Sequence, residues 1–275
     1  MCELFALSAR APATVRLSLE EFSRHGGLSG AHKDGWGLAW YEGRDVHLVR
    51  ENVPAAGSAC VRFIQEHPFS STLVLSHIRK ATQGGRTLAN CQPFARELGG
   101  RMHVFAHNGH LEGGHLRAVA QLGACRPVGD TDSEHAFCWL LERLQPLWRE
   151  RRSPPALAER LGLLADFALT LRALGPANFL YSDGDALFAH GDRRTQADGA
   201  IRPPGLQVLQ RSCAGESAAL GAEGLAVDAG SARGQEVLLA ASVPLTGEAG
   251  WRPLARGELL AAREGRVVSV ATAAA

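Results

Sequence analysis

The second residue of the chain is a cysteine. With Met1 removed, Cys2 would carry a thiol and a free α-amine on one residue. An α-amine titrates at about 7.7–8.0 and a thiol at about 8.5, so the amine can take the thiol proton near neutral pH. One residue then supplies both nucleophile and base. Three other segments hold groups that such a nucleophile would need. Ser76-His77-Ile78-Arg79-Lys80-Ala81-Thr82 places an arginine just past an apolar run. Arg79 could clamp a carboxylate with two parallel hydrogen bonds, or sit on the surface in an ion pair. Ala106-His107-Asn108-Gly109 offers a side-chain amide beside a glycine N–H, a pair of neutral donors suited to an oxyanion. The same Asn-Gly pair is also a hairpin-turn signal. Thr131-Asp132-Ser133-Glu134 fits a capping box, with Thr131 as N-cap and Glu134 at the third helical position. That leaves Asp132 without a capping duty and open to bind an ammonium.

These groups need elements to hold them. Residues 2–9 read as a strand that starts beside the terminus, and Thr72 to His77 as a buried strand. Met102 to Ala106 reads as a strand ending at His107-Asn108-Gly109. Leu17 to Arg24 is a short helix candidate, followed by a Gly-rich stretch from Gly26 to Gly37. Leu38 to Tyr41 and Val46 to Arg50 form a hairpin across Glu42-Gly43-Arg44-Asp45. Ala59 to His67 is a helix stopped by Pro68. After Thr131 a long helix carries Phe137, Leu140, Leu141, Leu144 and Trp148 at helical period, and Pro154-Pro155 opens a second with Leu157, Leu161, Leu164, Ala168 and Leu171. Short strands follow at Asn178 to Ser182, Ala186 to His190, Leu206 to Gln210, Val237 to Val243 and Val267 to Val270. Ser212 to Gly234 reads as a loose stretch, and the tail from Ala271 to Ala275 as frayed. Strands, then two consecutive helices, then strands is an α+β order with antiparallel sheets covered by helices, not βαβ alternation.

The chain has 275 residues, with 29 Lys+Arg against 28 Asp+Glu. The near-zero balance argues against a nucleic-acid binder, which needs a basic face to neutralise phosphates. The two lysines are Lys33 and Lys80. No apolar run reaches the roughly 18 residues of a membrane span, and the first residues lack the basic and apolar regions of a secretory signal. Cysteines at 2, 60, 91, 125, 138 and 213 match no zinc spacing, so reduced thiols in the cytoplasm are expected. His103, His107, His110 and His115 straddle a strand and a loop without a completing carboxylate or cysteine, so no metal is expected. No phosphate loop, dinucleotide fingerprint, nucleophile elbow or zincin motif is present, and no cofactor is expected.

Taken together, the segments resemble the class II glutamine amidotransferases of the N-terminal-nucleophile hydrolase superfamily, and among them the small stand-alone YafJ-like members. The resemblance rests on Met1-Cys2-Glu3-Leu4, His32-Lys33-Asp34-Gly35-Trp36-Gly37, His77-Ile78-Arg79, His107-Asn108-Gly109 and Gly129-Asp130-Thr131-Asp132-Ser133-Glu134, in that order. It extends through Phe137 to Leu141 and on to Pro244-Leu245-Thr246-Gly247, which suggests one domain over residues 2–270. It implies a four-layer αββα sandwich of two antiparallel sheets. It implies that Cys2 attacks the side-chain amide of glutamine or a γ-glutamyl compound, with Asn108 and Gly109 holding the oxyanion. By the same resemblance Arg79 binds the α-carboxylate, Asp132 binds the α-ammonium, Thr82 lines the pocket, and Asp34 to Gly37 supports the site. One departure is Gln92, where the family usually has a histidine; its neighbour Cys91 brings a second thiol near the site. The ammonia would be released, or passed to a separate synthase subunit. A non-catalytic regulatory module of the same fold is the competing class, but Cys2, Arg79, Asn108 and Asp132 are all present. The oligomeric state is not legible.

Overall fold

The structure, a computed structural model, describes residues 2–15, 34–81, 84–149, 151, 153–213, 219–222, 225–228, 234–247 and 249–272. The helix candidate at Leu17 to Arg24, the Gly-rich segment as far as Lys33, and Thr82 lie outside the described residues.

Strand β1 (Glu3–Val15) is the hub of the first sheet. It pairs antiparallel with β4 (Ser71–Ile78) on one side and with β14 (Gln235–Ala241) on the other. The sheet is nine-stranded among the described residues. Beyond β4 lie β2 (Trp36–Glu42) and β3 (Asp45–Glu51), the hairpin expected from its turn. Beyond β14 lie β11 (Gln207–Cys213) and the short β15 (Arg252–Pro253). The expected loose stretch contains a hairpin, β12 (Ala219–Ala222) with β13 (Leu225–Asp228), and β13 pairs with the end of β1.

The second sheet runs β17-β16-β8-β7-β6-β5, all antiparallel. Its strands are β5 (Phe94–Leu98), β6 (Arg101–Gly109), β7 (Ala177–Ser182), β8 (Leu187–His190), β16 (Glu258–Arg263) and β17 (Arg266–Thr272). A small separate ribbon joins β9 (Arg194–Thr195) and β10 (Ile201–Arg202).

Period-2 alternation sorts each strand into two faces. Leu4 and Ala6 of β1, Leu73 and Leu75 of β4, Val104 and Ala106 of β6, and Leu180 of β7 share one apolar layer between the sheets. Phe5 and Leu7 face the other way, onto Val61 and Ile64 of α1 (Ala59–Glu66). Phe105, Phe179 and Phe188 face the opposite outer layer, where α2 (Gly113–Val119), α3 (Asp132–Trp148) and α4 (Leu157–Leu174) lie. Helix, sheet, sheet, helix is the αββα order that the resemblance implies.

The helix stripes behave as their period requires. Phe137, Leu140, Leu144 and Trp148 of α3, and Leu161, Leu164 and Leu171 of α4, are all buried in that outer cluster. Helix α4 is also tied to the β7–β8 turn by Arg160, whose ion pair with Asp183 is fully buried. Arg160 Nη1 donates to Asp183 Oδ2 at 2.5 Å and Nη2 to Asp185 Oδ2 at 2.6 Å. Strands β5, β9, β10, β12, β13, β15 and β16, and helix α2, are not among the elements expected from sequence. The strand expected to end at Ala106 continues through Asn108 and Gly109, which pair with Asn178 and Ala177. The Asn-Gly pair is therefore a strand end and not a hairpin turn. At the other end of the chain, β17 runs on to Thr272, past the point where fraying is expected.

Candidate active site

The register of β1 against β4 places Glu3 opposite Ile78. Cys2, one residue earlier, therefore lies against the segment that leaves β4. The Lys80 backbone N–H donates to Cys2 Sγ at 3.3 Å, and Sγ lies 3.4 Å from Lys80 O. By alternation Cys2 shares the face of Leu4 and Ala6, at the rim of the layer between the sheets. From the other sheet, Asn108 projects on the face of Val104 and Ala106. Its Nδ2 donates to Cys2 O at 2.5 Å. The two sheets thus bring Cys2 and a side-chain amide donor into direct contact. Burial pushes the Cys2 thiol up, against the pull of the Lys80 N–H and of Arg79, while Asp132 adds to the rise. A thiol held up in this way stays protonated at neutral pH and needs a base to become a nucleophile.

Asn108 is held from several sides. Nδ2 also lies 3.3 Å from Ser242 Oγ, which accepts the Leu4 N–H at 3.0 Å. Asn178 Nδ2 donates to Asn108 O at 3.0 Å. Among the described residues, Asn108 Oδ1 is buried without a hydrogen-bond partner. Gly109 has its own reason to be glycine: an added Cβ would lie 1.8 Å from Pro176 O. His107, one residue before Asn108, faces the helices. Its Nδ1 is 2.9 Å from Ser133 Oγ, and burial lowers its pKa against the opposing charge of Asp132. Gln92 accepts the His107 N–H at Oε1 (2.6 Å) and donates from Nε2 to His107 O (3.2 Å).

Arg79 follows β4 directly and is 3% exposed. Its N–H donates to Gly35 O at 2.8 Å, and the Asp34 N–H donates to Arg79 O at 3.2 Å. Its guanidinium donates to Gly85 O (2.9 Å) and Gly84 O (3.2 Å). The fork expected to meet a carboxylate holds two loop carbonyls here. Asn90 fastens the same loop, donating to Gly85 O at 3.0 Å and Asp130 Oδ1 at 2.6 Å. Asp34 accepts the Ala81 N–H at 2.8 Å and pairs with Arg86. Gly35 has a φ of +134°, and a Cβ there would lie 2.5 Å from Cys91 Sγ. The Cys91 thiol points to Glu51 O (3.3 Å) and Thr87 O (3.5 Å), and burial pushes it up. It packs the site and is not aimed at Cys2.

Asp132 opens α3, capped by Thr131 Oγ1, which accepts the Glu134 N–H at 3.3 Å. Glu134 does not return the bond to Thr131. It accepts the Gly129 N–H at 2.7 Å and pairs with Arg96. Nor is the Asp132 carboxylate without backbone duty, as the capping box suggested. It accepts the Leu111 N–H at 2.7 Å and the Ser133 N–H at 2.8 Å. That ties it to the chain two residues beyond Gly109. The other histidines of the cluster have ordinary partners: His103 is 2.6 Å from Tyr181 Oη and His115 is 2.9 Å from Glu112.

A family model described as glutamine amidotransferases class-II matches residues 1–275. The chain belongs to this family. Among class II glutamine amidotransferases and their relatives, it is 40% identical to YafJ of Escherichia coli (strain K12) over 190 residues, which is 69% of this chain and 72% of that protein. It is 31% identical to the uncharacterized protein MJ1515 of Methanocaldococcus jannaschii over 273 residues, 98% of this chain and 71% of that one. A crystal structure of a predicted glutamine amidotransferase from Pseudomonas aeruginosa PA01 superposes with a TM-score of 0.69 at 32% identity, covering 97% of this chain and 99% of that one. The glutamine phosphoribosylpyrophosphate amidotransferase of Bacillus subtilis superposes with a TM-score of 0.62 at 14% identity, covering 99% of this chain and 49% of that one. That likeness concerns the fold alone.

Two residues of this candidate site are not singled out by the sequence. Ser242 and Asn178 sit at strand ends and hold Asn108. Gln92 stood out as a departure from the family pattern, with no role attached. Its role depends on a strand register that becomes visible only once β5 is placed.

Proposed function

We propose that this class II glutamine amidotransferase hydrolyses the side-chain amide of glutamine or of a γ-glutamyl compound with Cys2 as nucleophile. In this reading Met1 is removed and the Cys2 α-amine takes the thiol proton. The thiolate attacks the amide carbon, and the carbonyl electrons move onto oxygen. The Asn108 side chain and the Gly109 N–H stabilise that oxyanion. The C–N bond then breaks as the amine returns its proton, releasing ammonia or an amine and leaving a γ-glutamyl thioester. Water, deprotonated by the same amine, attacks the thioester and frees glutamate and the thiol. Arg79 takes the α-carboxylate in place of the Gly84 and Gly85 carbonyls, and Asp132 takes the α-ammonium. Residues 2–270 form one domain.

The observation that carries this reading is the meeting of Cys2 and Asn108 across the two sheets, 2.5 Å from Asn108 Nδ2 to Cys2 O. The Arg79 and Asp132 charges are both felt at the thiol, which fits a small zwitterionic substrate. Side-by-side assays on glutamine, other amides of glutamate and γ-glutamyl peptides test it, with Cys2→Ala as control. Release of glutamate that disappears in Cys2→Ala is expected. Equal turnover by Cys2→Ala would remove the reading. If a synthase subunit receives the ammonia, it co-purifies with the chain; if not, a γ-glutamyl peptide is turned over faster than glutamine by the isolated protein.

A further inference from the structure

Strands β5 and β6 pair with Phe94 opposite Phe105 and Ala95 opposite Val104. Two residues further toward the site, the same antiparallel register sets Gln92 opposite His107. No backbone pair forms there. The ladder stops at Phe94. Yet both His107 backbone groups are bonded on this side, because the Gln92 side-chain amide accepts from His107 N at 2.6 Å and donates to His107 O at 3.2 Å. A primary amide presents an acceptor and a donor side by side, as a peptide does. Gln92 thus completes the rung that the backbone leaves out. Both residues are buried, so no water stands ready to replace those bonds.

Gln92 is itself braced. Arg50 Nη1 donates to Cys91 O at 2.8 Å. A Cβ on Gly37 would lie 2.3 Å from Gln92 O, so the second glycine of Asp34-Gly35-Trp36-Gly37 is what lets this backbone close against β2. On the other side of the rung, Asn108 is the next residue and turns toward Cys2, while the His107 ring reaches Ser133 beside Asp132.

We propose that Gln92 is a positioning residue for the oxyanion donors: its side-chain amide closes the last rung of β6 and fixes the backbone from which Asn108 and Gly109 project. This rests on the roles given to Asn108 and Gly109 above. The side-chain choice is narrow. Asparagine is one methylene short. The two nitrogens of a histidine ring point apart and cannot serve one residue's N–H and C=O together. Glutamate keeps the shape but, when ionised, has no donor and sets an oxygen against His107 O.

The test is Gln92→Glu, measured by steady-state hydrolysis and by hydrogen exchange of the segment Phe105–Gly109. A small displacement of the oxyanion donors costs on the order of 10–100-fold in kcat. KM should stay within about threefold, because the substrate-holding groups are not moved. The ratio of variant to wild-type kcat should rise as pH falls, since a protonated carboxyl again offers one donor and one acceptor. Exchange in Phe105–Gly109 should accelerate. Gln92→Met, which loses both bonds at any pH, should show the same kcat loss without recovery. Unchanged kcat, unchanged exchange, or a parallel collapse of kcat and melting temperature would each overturn the proposal. A wild-type protein that turns over no γ-glutamyl substrate would sink the proposed reaction, and the exchange measurement would still decide the rung.

Discussion

At the scale of single residues, the proposed reaction separates the groups that would react from the groups that hold them. Cys2 and Asn108 meet directly, while Ser242, Asn178 and Gln92 hold the strand end from which Asn108 comes. The Asn108 amide is the group most exposed to test. Removing one oxyanion donor costs about 10²–10³ in kcat. Asn108→Ala should therefore lose kcat by that order while KM moves little, in steady-state kinetics on glutamine. A rise in KM with kcat preserved would reassign Asn108 to ground-state binding. The residue types themselves were legible: a thiol near the terminus, an arginine past a strand, an Asn-Gly pair and a capped aspartate are each visible in the chain. Their partners were not. That Arg79 holds Gly84 and Gly85, and that Asp132 holds the Leu111 N–H, are consequences of tertiary packing, which spacing does not encode.

At the scale of elements, the long helices were legible because their apolar period outlasts local noise. The stripe from Phe137 to Trp148 lies in the outer core, and the Thr131 cap is where the motif put it. The missed elements have physical reasons. Strand β16, Glu-Leu-Leu-Ala-Ala-Arg, consists of good helix formers, and its pairing with β8 and β17 overrides that preference. Strand β5, Phe-Ala-Arg-Glu-Leu, is a short edge strand with a mixed pattern. Helix α2 opens on two glycines and is only seven residues long. Asn108-Gly109 signals a stop because Asn-Gly favours turns, whereas pairing with Asn178 and Ala177 carries the strand through. The Thr131 cap supports both α3 and the Asp132 carboxylate at its first turn. Thr131→Ala should lower stability by about 1 kcal/mol, read from urea unfolding, with a larger rise in KM than fall in kcat. An unaltered KM would separate the cap from the site.

At the scale of the whole molecule, two facing sheets and their helix layers bury histidines in the second sheet. His103 and His190 are both held down to about 4 by burial. An unfolded histidine titrates at about 6.5. Between those values the unfolded chain binds more protons than the folded one, so stability is full above about pH 6.5 and falls as pH drops toward 4. Chemical denaturation at steps from pH 7 to pH 4 should show that decline, and a flat profile over the window would contradict it. The Asp185, Glu236 and Glu258 carboxyls, held low by arginine partners, lose their contribution only at lower pH. The central claim, that a processed Cys2 is the nucleophile for a γ-glutamyl amide, is tested most directly on the intact protein. The purified chain is incubated with a diazoketone analogue of glutamine, and its intact mass and N-terminal peptide are determined. One adduct per chain is predicted, on a peptide that begins at Cys2 without Met1, and none in Cys2→Ala. A retained Met1, or an adduct on Cys91 or elsewhere with Cys2 untouched, would contradict the account.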